Sequence, residues 1–180
     1  FTLESIDHPE VKQNGIIPVL VLFTLKMSVD VPPKFKKAKC RIVADGARRP
    51  PKRDENGRVV TNGVVTPWEH YSPTAGATIN RFFDAYCVYK GFKLFGTDCT
   101  AAFLNAPVKE PIFVRLPYGV GSHIFRGKCM RLHKHLYGLQ ESPKAWMDTL
   151  TAKLREIGFR SFTEDECLLR KIVTDASGKI

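Results

Sequence analysis

The sequence lacks a long hydrophobic run and a secretory signal. Its most apolar segment, residues 16–25, is much shorter than the roughly 18 residues that a membrane-spanning helix needs, and it contains Pro18. No basic stretch precedes an apolar one, as a signal peptide requires. We therefore expect no membrane partner. Because the chain begins with Phe1 rather than Met, we also expect it to be cut from a longer protein.

The cysteines are irregularly placed and form no recognisable motif. The five cysteines are an odd number, widely spaced, and form no CxxC pair. This pattern argues against a disulfide framework and against a cysteine-based zinc site. We expect reduced thiols in an intracellular protein.

Acidic residues are missing from one long segment and outnumbered in another. Residues 111–140 contain five Lys or Arg and no acid, and residues 34–58 contain ten Lys or Arg against three acids. The rest of the chain is slightly acidic, so these segments account for the formal net charge of +10. Concentrated positive charge favours a polyanion partner, because neutralised phosphates release counterions. A solvated basic loop is the alternative that charge alone leaves open.

The remaining composition is that of a globular domain. The 180 residues are 43% hydrophobic and 26% charged, which is enough for one domain with a real core. Hydrophobic periodicity and the order of the predicted elements favour an α+β fold, with an antiparallel sheet covered on one face by helices. The predicted strands span residues 15–26, 39–44, 92–98, 112–116, 128–132 and 167–173, the predicted helices span 78–89 and 142–157, and 30–39, 45–67 and 174–178 are predicted loops or turns.

The two predicted helices carry signals at their ends. Thr78 is placed to cap the first helix, and Gly91 is a typical C-terminal stop. Ser142 offers a capping hydroxyl to the second helix, and Pro143 suits its first position. Trp146 falls on the apolar face of that helix, so we expect it in the core.

A lone carboxylate, Asp98, stands within the stretch FGTDCTAAFLNAP. A carboxylate at the end of a strand can hold Mg²⁺, which prefers oxygen ligands, and the small residues after it would let a backbone approach phosphates closely. The commoner explanation for an acid before TAAFL is the N-cap of a short helix. The residues alone leave both interpretations open.

Four segments, taken in order, resemble one family. TDCTAAFLNAPVKEPIFVRLP is similar to the pattern LDVxTAFLNGxLxExIYMxxP of copia-type retrotransposon reverse transcriptases. CMRLHKHLYGLQESPKAWMDTLTAKLREIGF resembles VCRLxKALYGLKQAPRAWxxxLxxxLxxxGF of that family, KAKCRIVADG resembles YKARLVARG, and YSPTAGATINR resembles FSPVAxxxSIR. The resemblance covers roughly residues 23–173, which is most of the chain.

The resemblance implies the fingers and part of the palm of a right-hand polymerase. Residues 1–76 would form a basic, fingers-like region and residues 77–180 a palm-like region. The implied reaction is RNA-directed DNA synthesis, a template-directed nucleotidyl transfer by two metal ions. Its cofactor would be Mg²⁺, with Mn²⁺ as a substitute. In that frame Asp98 is the first catalytic carboxylate and the carbonyl of Cys99 is an additional metal ligand.

The resemblance also assigns contacts to the incoming nucleotide. Phe103 matches the aromatic steric gate that rejects a 2′-hydroxyl, and its alternative role is core packing. Arg41 matches the Arg of the fingers strand that pairs with the triphosphate, for which a planar guanidinium is well suited. Lys39 and Lys26 are weaker candidates beside it, and a solvated strand face is their usual alternative.

The turn LYGL and the basic segments complete the expected site. Tyr137 would stack or hydrogen-bond near the nucleotide, and Gly138 would permit close backbone approach. We expect His133 and His135 to face the template or solvent rather than to bind a metal. The residues expected to bind nucleic acid are Lys36, Lys37, Arg48, Arg49 and Lys134.

Several features depart from the family pattern. ADG replaces ARG, LNA replaces LNG, QESPK replaces KQAPR, and the loop over 45–67 is longer than usual. The paired-aspartate hairpin YVDD, expected after Gly178, does not occur in this sequence. A single Asp cannot hold two divalent ions, so we expect this chain to be inactive alone. It is then either a piece of an active enzyme or a degenerate, non-catalytic remnant that at most binds nucleic acid.

The partners follow from the same resemblance. They are an RNA or DNA template with its primer, a dNTP, and the remainder of a Pol polyprotein. The expected location is intracellular, in a cytoplasmic retrotransposon particle, with the nucleus as a further compartment. A basic nucleic-acid-binding module unrelated to polymerases is a third hypothesis, which requires the four-segment match to be accidental.

Overall fold

The structure, a computed structural model, describes residues 1–60, 71–117, 119, 124–162 and 165–173. Within these residues no helix is both long and apolar enough to cross a membrane. The elements in chain order are β1 (Thr2–Ser5), α1 (Pro9–Asn14), β2 (Ile16–Ile17), β3 (Val19–Met27), β4 (Phe35–Ala44), a 3₁₀ turn (Gly46–Arg48), α2 (Ala77–Lys90), a second 3₁₀ turn (Ala102–Asn105), β5 (Phe113–Val114), β6 (Lys128–Arg131), α3 (Ser142–Glu156), β7 (Arg160–Ser161) and β8 (Leu169–Arg170).

The fold is a mixed α+β arrangement, as the sequence predicts. The main sheet has the strand order β1-β6-β5-β2. β1 and β5 pair antiparallel with β6, whereas β2 pairs parallel with β5. The sequence predicts an antiparallel sheet, and the parallel pairing of β2 with β5 departs from that prediction. This sheet joins strands from both sides of the boundary expected at residue 76, which itself stays a prediction.

The apolar run that follows Gly15 forms two strands rather than one. Pro18 separates β2 from β3 because proline has no N–H to donate to a ladder. Its carbonyl instead accepts a hydrogen bond from the backbone N–H of Asp45, at 2.8 Å. β3 then pairs antiparallel with β4 as a long hairpin, with Val19 opposite Ala44 at its base. β4 begins at Phe35, so residues 35–39 are strand and not the predicted loop.

The core lies where the main sheet meets the base of this hairpin. Consecutive side chains on a strand point to opposite faces, so Val114 and Phe113 on β5 enter different clusters. Val114 packs with Ala44 and Leu139, whereas Phe113 packs with Val11 of α1. The sheet is therefore packed on both faces, whereas the sequence predicts one covered face.

Helix α2 forms where it is predicted but is capped differently. Its N-cap is Gly76, with no side-chain cap bond, so Thr78 does not cap it. Gly91 ends the helix in the left-handed conformation, at φ 67°, as predicted. The aromatic side chains Phe82 and Phe83 on its apolar face are 65% and 44% exposed. The periodic face therefore exists but is not buried by the rest of the described chain.

Helix α3 also begins where it is predicted, with Pro143 in its first turn. Its N-cap is Glu141, and no side chain caps it. The hydroxyl of Ser142 is fully buried and donates to the carbonyl oxygen of Leu136, at 2.7 Å. The predicted capping role of Ser142 is therefore wrong. Its hydroxyl ties the preceding turn to the start of the helix.

Two predicted strands differ in the structure. Residues 92–98 form no strand, because within the described chain no neighbouring backbone forms a ladder with them. The strand predicted over 167–173 is limited to β8, which pairs with β7. The predicted turn over 174–178 lies outside the described residues, as do residues 61–67 of the predicted long loop.

Candidate functional site

The candidate site begins where the base of the hairpin meets the turn before α3. The backbone N–H of Ala44, the last residue of β4, donates to the carbonyl oxygen of Tyr137 at 2.7 Å. Gly138 has φ +88°, and a Cβ there would overlap the carbonyl oxygen of Ala44 and approach Val43 Cγ1 to 2.6 Å. A Cβ at Gly46 would likewise overlap the carbonyl oxygen of Gly138. Two glycines thus let the backbones touch, and we call this contact the joint.

An aromatic pair lies next to the joint. The rings of Phe103 and Tyr137 have centroids 5.0 Å apart and planes tilted by 54°, a favourable geometry for aromatic contact. Phe103 is held in the 3₁₀ turn, where its carbonyl accepts from the N–H of Ala106 at 3.1 Å. The carbonyl of Ala106 in turn accepts from the N–H of His135, at 2.9 Å, two residues before Tyr137. Both rings are therefore fixed by backbone hydrogen bonds between the same two segments.

One face of the hairpin is cationic. Side chains on a strand alternate, so Lys37, Lys39 and Arg41 share one face of β4 with Val43. Lys26 lies opposite Lys37 on β3 and belongs to the same face. We call Lys26, Lys37, Lys39 and Arg41 the cationic face. None of these four side chains forms an ion pair within the described residues.

The cations on this face repel one another. The pKa of Lys39 is lowered from its ordinary value, first by the charge of Lys26 and then by that of Arg41, with further contributions from burial and from Lys37. Like charges that lower a lysine pKa are relieved when an anion binds between them. The repulsion within this face would therefore be reduced by an anion that binds between these side chains.

The cationic face lies on the same side of β4 as Val43, which contacts the joint. Val43 lies against Gly138, and Arg41 is two residues further along the same side of β4, about 7 Å away at the rise of a strand. The structure therefore brings Phe103, Tyr137 and Gly138 together and places Arg41 and Lys39 on the adjoining strand face. Lys36 lies at the register shift between Lys26 and Met27 and has no cross-strand partner there.

Asp98 is exposed, in an irregular segment ahead of the 3₁₀ turn that carries Phe103. The N-cap of that turn is Ala101, without a side-chain cap bond, so the interpretation of Asp98 as a helix cap is wrong. Cys99 is also exposed. Within the described residues no three His, Cys, Asp or Glu side chains cluster as a metal site. Asp98 is thus available as one ligand, but the described residues do not fit a complete two-metal centre.

Three cations predicted to bind nucleic acid have partners inside the chain. Arg49 Nη1 donates to Glu141 Oε1 at 2.6 Å. Arg48 Nε lies 3.4 Å from a carboxylate oxygen of Asp45, although its side chain is 77% exposed. Lys134 Nζ donates to the carbonyl oxygen of Asn105 at 3.2 Å. Their role toward nucleic acid stays a prediction.

The structure adds a buried polar group that sequence reasoning missed. His135 is 5% exposed, so its expected template-facing or surface position is wrong, whereas His133 is exposed. The Oγ–H of Ser142 is donated to Leu136, so its lone pair accepts from Nδ1–H of His135, across 3.3 Å. Burial is the main cause that lowers the pKa of His135 from its ordinary value, opposed by Glu141 and reinforced by Arg49. The leucines at both ends of the stretch LHKHL are the sequence signal that could have indicated burial of His135.

Comparison with known proteins gives one consistent family. The model of the reverse transcriptase (RNA-dependent DNA polymerase) family matches residues 2–179. The chain is 26% identical over 147 residues to the Retrovirus-related Pol polyproteins from transposons RE2 and RE1 of Arabidopsis thaliana, covering 82% of the chain and 9% of each relative. It is 24% identical over 170 residues to the Transposon Ty1-LR2 Gag-Pol polyprotein of Saccharomyces cerevisiae, covering 94% of the chain and 8% of the relative. No solved structure matches the chain significantly.

Proposed function

Because the chain belongs to the copia-type reverse transcriptase family, we propose that it supplies the nucleotide- and template-binding part of an RNA-directed DNA polymerase. The observation that carries the proposal is the site geometry: Tyr137, whose ring contacts Phe103, adjoins Gly138, and Gly138 contacts Val43 on the same face of β4 as Arg41 and Lys39. Flat rings near cations that form no ion pair with the residues described suit a ligand that combines a base and sugar with phosphates. In this proposal residues 1–76 are fingers-like and residues 77–180 are palm-like.

Each part of the site has a proposed task. Arg41, with Lys39, binds the triphosphate of the incoming dNTP, and the planar guanidinium of Arg41 matches phosphate oxygens. Phe103 lies under the sugar and excludes a 2′-hydroxyl, supported by its contact with Tyr137. Gly138 keeps the turn that carries Tyr137 close to β4, the strand that carries Arg41.

Asp98 is the proposed ligand for Mg²⁺, or for Mn²⁺ in its place, together with the carbonyl of Cys99. Such an ion, when bound, stabilises negative charge on phosphate oxygens. The described residues place no further carboxylate cluster beside Asp98, so the second metal of a two-metal centre has no ligand set here. The second candidate function is a degenerate remnant that only binds nucleic acid, and the cationic face is the observation that supports it.

The remaining proposed partners are a primer–template duplex and the rest of a Pol polyprotein. The chain spans 9% of the RE2 relative and 8% of the Ty1 relative, so polymerase activity belongs to the larger protein in this proposal. We place that protein in a cytoplasmic retrotransposon particle, with the nucleus as a further compartment.

The proposed nucleotide site is tested by NMR titration of the ¹⁵N-labelled chain with millimolar dATP and then with ATP. We expect the amides of Arg41, Phe103 and Tyr137 to shift more with dATP. Phe103→Ala should remove the preference for dATP. Phe82→Ala, which truncates a 65% exposed ring on α2, is the matched control and should keep it. Absence of any shift at these amides in the unaltered chain would contradict a nucleotide site.

The metal ligand is tested separately with Mn²⁺, whose unpaired electrons broaden nearby NMR signals. Broadening should centre on the amides around Asp98 and disappear in Asp98→Asn. Asp84→Asn, a change at an exposed carboxylate on α2, should leave it unchanged. Equal broadening in both variants would remove Asp98 from the metal site. Absence of Mn²⁺ broadening in the unaltered chain, with dATP binding intact, would instead favour the remnant.

A further inference from the structure

The ion pair of Arg49 and Glu141 joins two distant parts of the sequence at the candidate site. Arg49 Nη1 and Glu141 Oε1 are 2.6 Å apart, and the two side chains are only 31% and 22% exposed. The surface pair Lys153–Glu156 is 71% and 62% exposed. Exposed pairs contribute little because water and salt screen them, whereas shielding strengthens a close pair. The Arg49–Glu141 pair is thus one of the better-shielded pairs of the described chain.

Its position is more informative than its strength. Arg49 directly follows the 3₁₀ turn that contains Gly46, and Glu141 follows the turn that contains Tyr137 and Gly138. The ion pair therefore connects the same two backbone segments that the two glycines bring into contact at the joint. The joint is held at three points: the Ala44–Tyr137 hydrogen bond, the glycine contact and the ion pair.

The hairpin depends on this joint for its orientation. Beyond its base the hairpin is open to solvent, with Leu22, Phe23 and Leu25 exposed by 48%, 79% and 66%. Arg41 lies three residues from Ala44, about 10 Å along the strand, so a tilt of about 10° at the joint moves it by roughly 1.7 Å. A displacement of that size exceeds the roughly 0.5 Å within which a binding group must be held. Small changes at the joint are therefore amplified at the cationic face.

We propose that Arg49 and Glu141 are positioning residues that fix the angle of the cationic face relative to the Phe103–Tyr137 ring pair, and that they thereby raise the affinity for the incoming dNTP. This inference rests on the proposed nucleotide site and assigns the pair no contact with the ligand. It also gives a physical role to the acid of QESPK, which stands where the family pattern has no acid. Arg49 is then a structural partner of Glu141 rather than a phosphate contact.

The test uses Glu141→Gln, which keeps the side-chain shape and removes the charge. We expect faster hydrogen exchange of the Ala44 amide, which donates to Tyr137, and a dATP dissociation constant raised by about three- to tenfold. The charge-reversed double variant Arg49→Glu, Glu141→Arg should restore both values toward those of the unaltered chain. Glu156→Gln, which breaks the exposed pair with Lys153, is the control and should change neither.

The outcomes separate this inference from the function on which it rests. If the unaltered chain binds dATP and Glu141→Gln binds it equally well, the positioning role is refuted. A charge-reversed variant that folds but fails to restore dATP binding would also refute the positioning role, because exchanging the two charges keeps the attraction between the side chains. If the unaltered chain does not bind dATP, the proposed nucleotide site fails. Exchange of the Ala44 amide then still decides whether the pair holds the joint.

Discussion

Replacing Gly138 with alanine is the sharpest test of the joint. The added Cβ would overlap the carbonyl oxygen of Ala44 and lie 2.6 Å from Val43 Cγ1. The carbonyl belongs to the backbone at the end of β4, so it cannot rotate away as a flexible side chain could. The turn must therefore move away from the strand, and the hydrogen bond from the Ala44 N–H to Tyr137 must lengthen or break.

The expected cost has three parts. Alanine at φ +88° costs about 1–2 kcal/mol because its Cβ crowds the following carbonyl. Loss of one backbone hydrogen bond costs about 1 kcal/mol. Overpacking against Val43 costs about 1–3 kcal/mol, reduced as the turn moves away. The free energy of unfolding should therefore fall by roughly 3–5 kcal/mol, a large part of the roughly 5–15 kcal/mol that stabilises a typical domain.

The matched control is Gly57→Ala. Gly57 has a similar backbone conformation, φ +76°, but a Cβ there would meet nothing within 4 Å. This variant carries only the conformational cost of about 1–2 kcal/mol. Urea unfolding measures both, and at a slope of about 2 kcal/mol per M the Gly138 variant should unfold roughly 1–1.5 M earlier than the control. Hydrogen exchange should show faster opening at Ala44 in the Gly138 variant only.

The comparison of the two variants decides the reasoning. Equal urea midpoints would show that the close approach of Gly138 to β4 does not exist in solution. A lower midpoint without faster exchange at Ala44 would show that the strain is relieved elsewhere than at the joint. Either result would also remove the geometric basis for placing Arg41 beside the ring pair.

Two further perturbations follow from buried or strained groups. Burial lowers the pKa of His135 in the folded chain, so on acidification the unfolded chain binds a proton at a higher pH than the folded chain does. The contribution of neutral His135 to the free energy of unfolding is therefore complete above its ordinary pKa of 6.5 and decreases as the pH falls below that value. Urea midpoints at pH 7.5 and pH 5.5 should show this loss in the unaltered chain and in His133→Asn, whereas His135→Asn should show a smaller dependence. Ala101 has φ 52°, a left-handed conformation, so Ala101→Gly should stabilise the chain by about 0.5 kcal/mol, whereas Ala102→Gly in the following turn should destabilise it. Equal effects of the two glycine variants would contradict strain at Ala101.

Local chemistry made several elements predictable. The apolar run before Lys26 is rich in β-branched and aliphatic residues, and it became β3 with a break at Pro18 because proline cannot donate. The start of α3 follows from Pro143, and the end of α2 follows from Gly91, which adopts the conformation that glycine alone reaches without strain. These signals act within a few residues, so they do not depend on how the rest of the chain packs.

Elements that depend on distant partners were not predictable in the same way. Residues 92–98 have the composition of a strand but form none, because a strand needs a neighbour to hydrogen-bond with. β1 was not predicted from sequence because it exists through pairing with β6, more than 120 residues later, whereas the residues of β2 were predicted as the start of one strand over 15–26. The hydroxyl of Ser142 fits a cap on sequence rules, but the buried turn before it supplies a better acceptor in Leu136.

In the candidate site, too, some features follow from the sequence and others depend on contacts between distant residues. Family resemblance identified Phe103, Tyr137 and Gly138, and the structure brings them together, but no sequence rule shows which basic residues face an external anion. In the structure Arg49 is paired with an acid 92 positions away, whereas Lys39 and Arg41 form no ion pair with any residue that the structure describes and repel each other. A cation that already holds a shielded carboxylate has little to gain from a phosphate, whereas one that destabilises its neighbour gains from any anion that binds between them. Positive charge in this chain therefore occurs in two settings, a shielded ion pair at the joint and the cationic face of the hairpin, and only the fold distinguishes them.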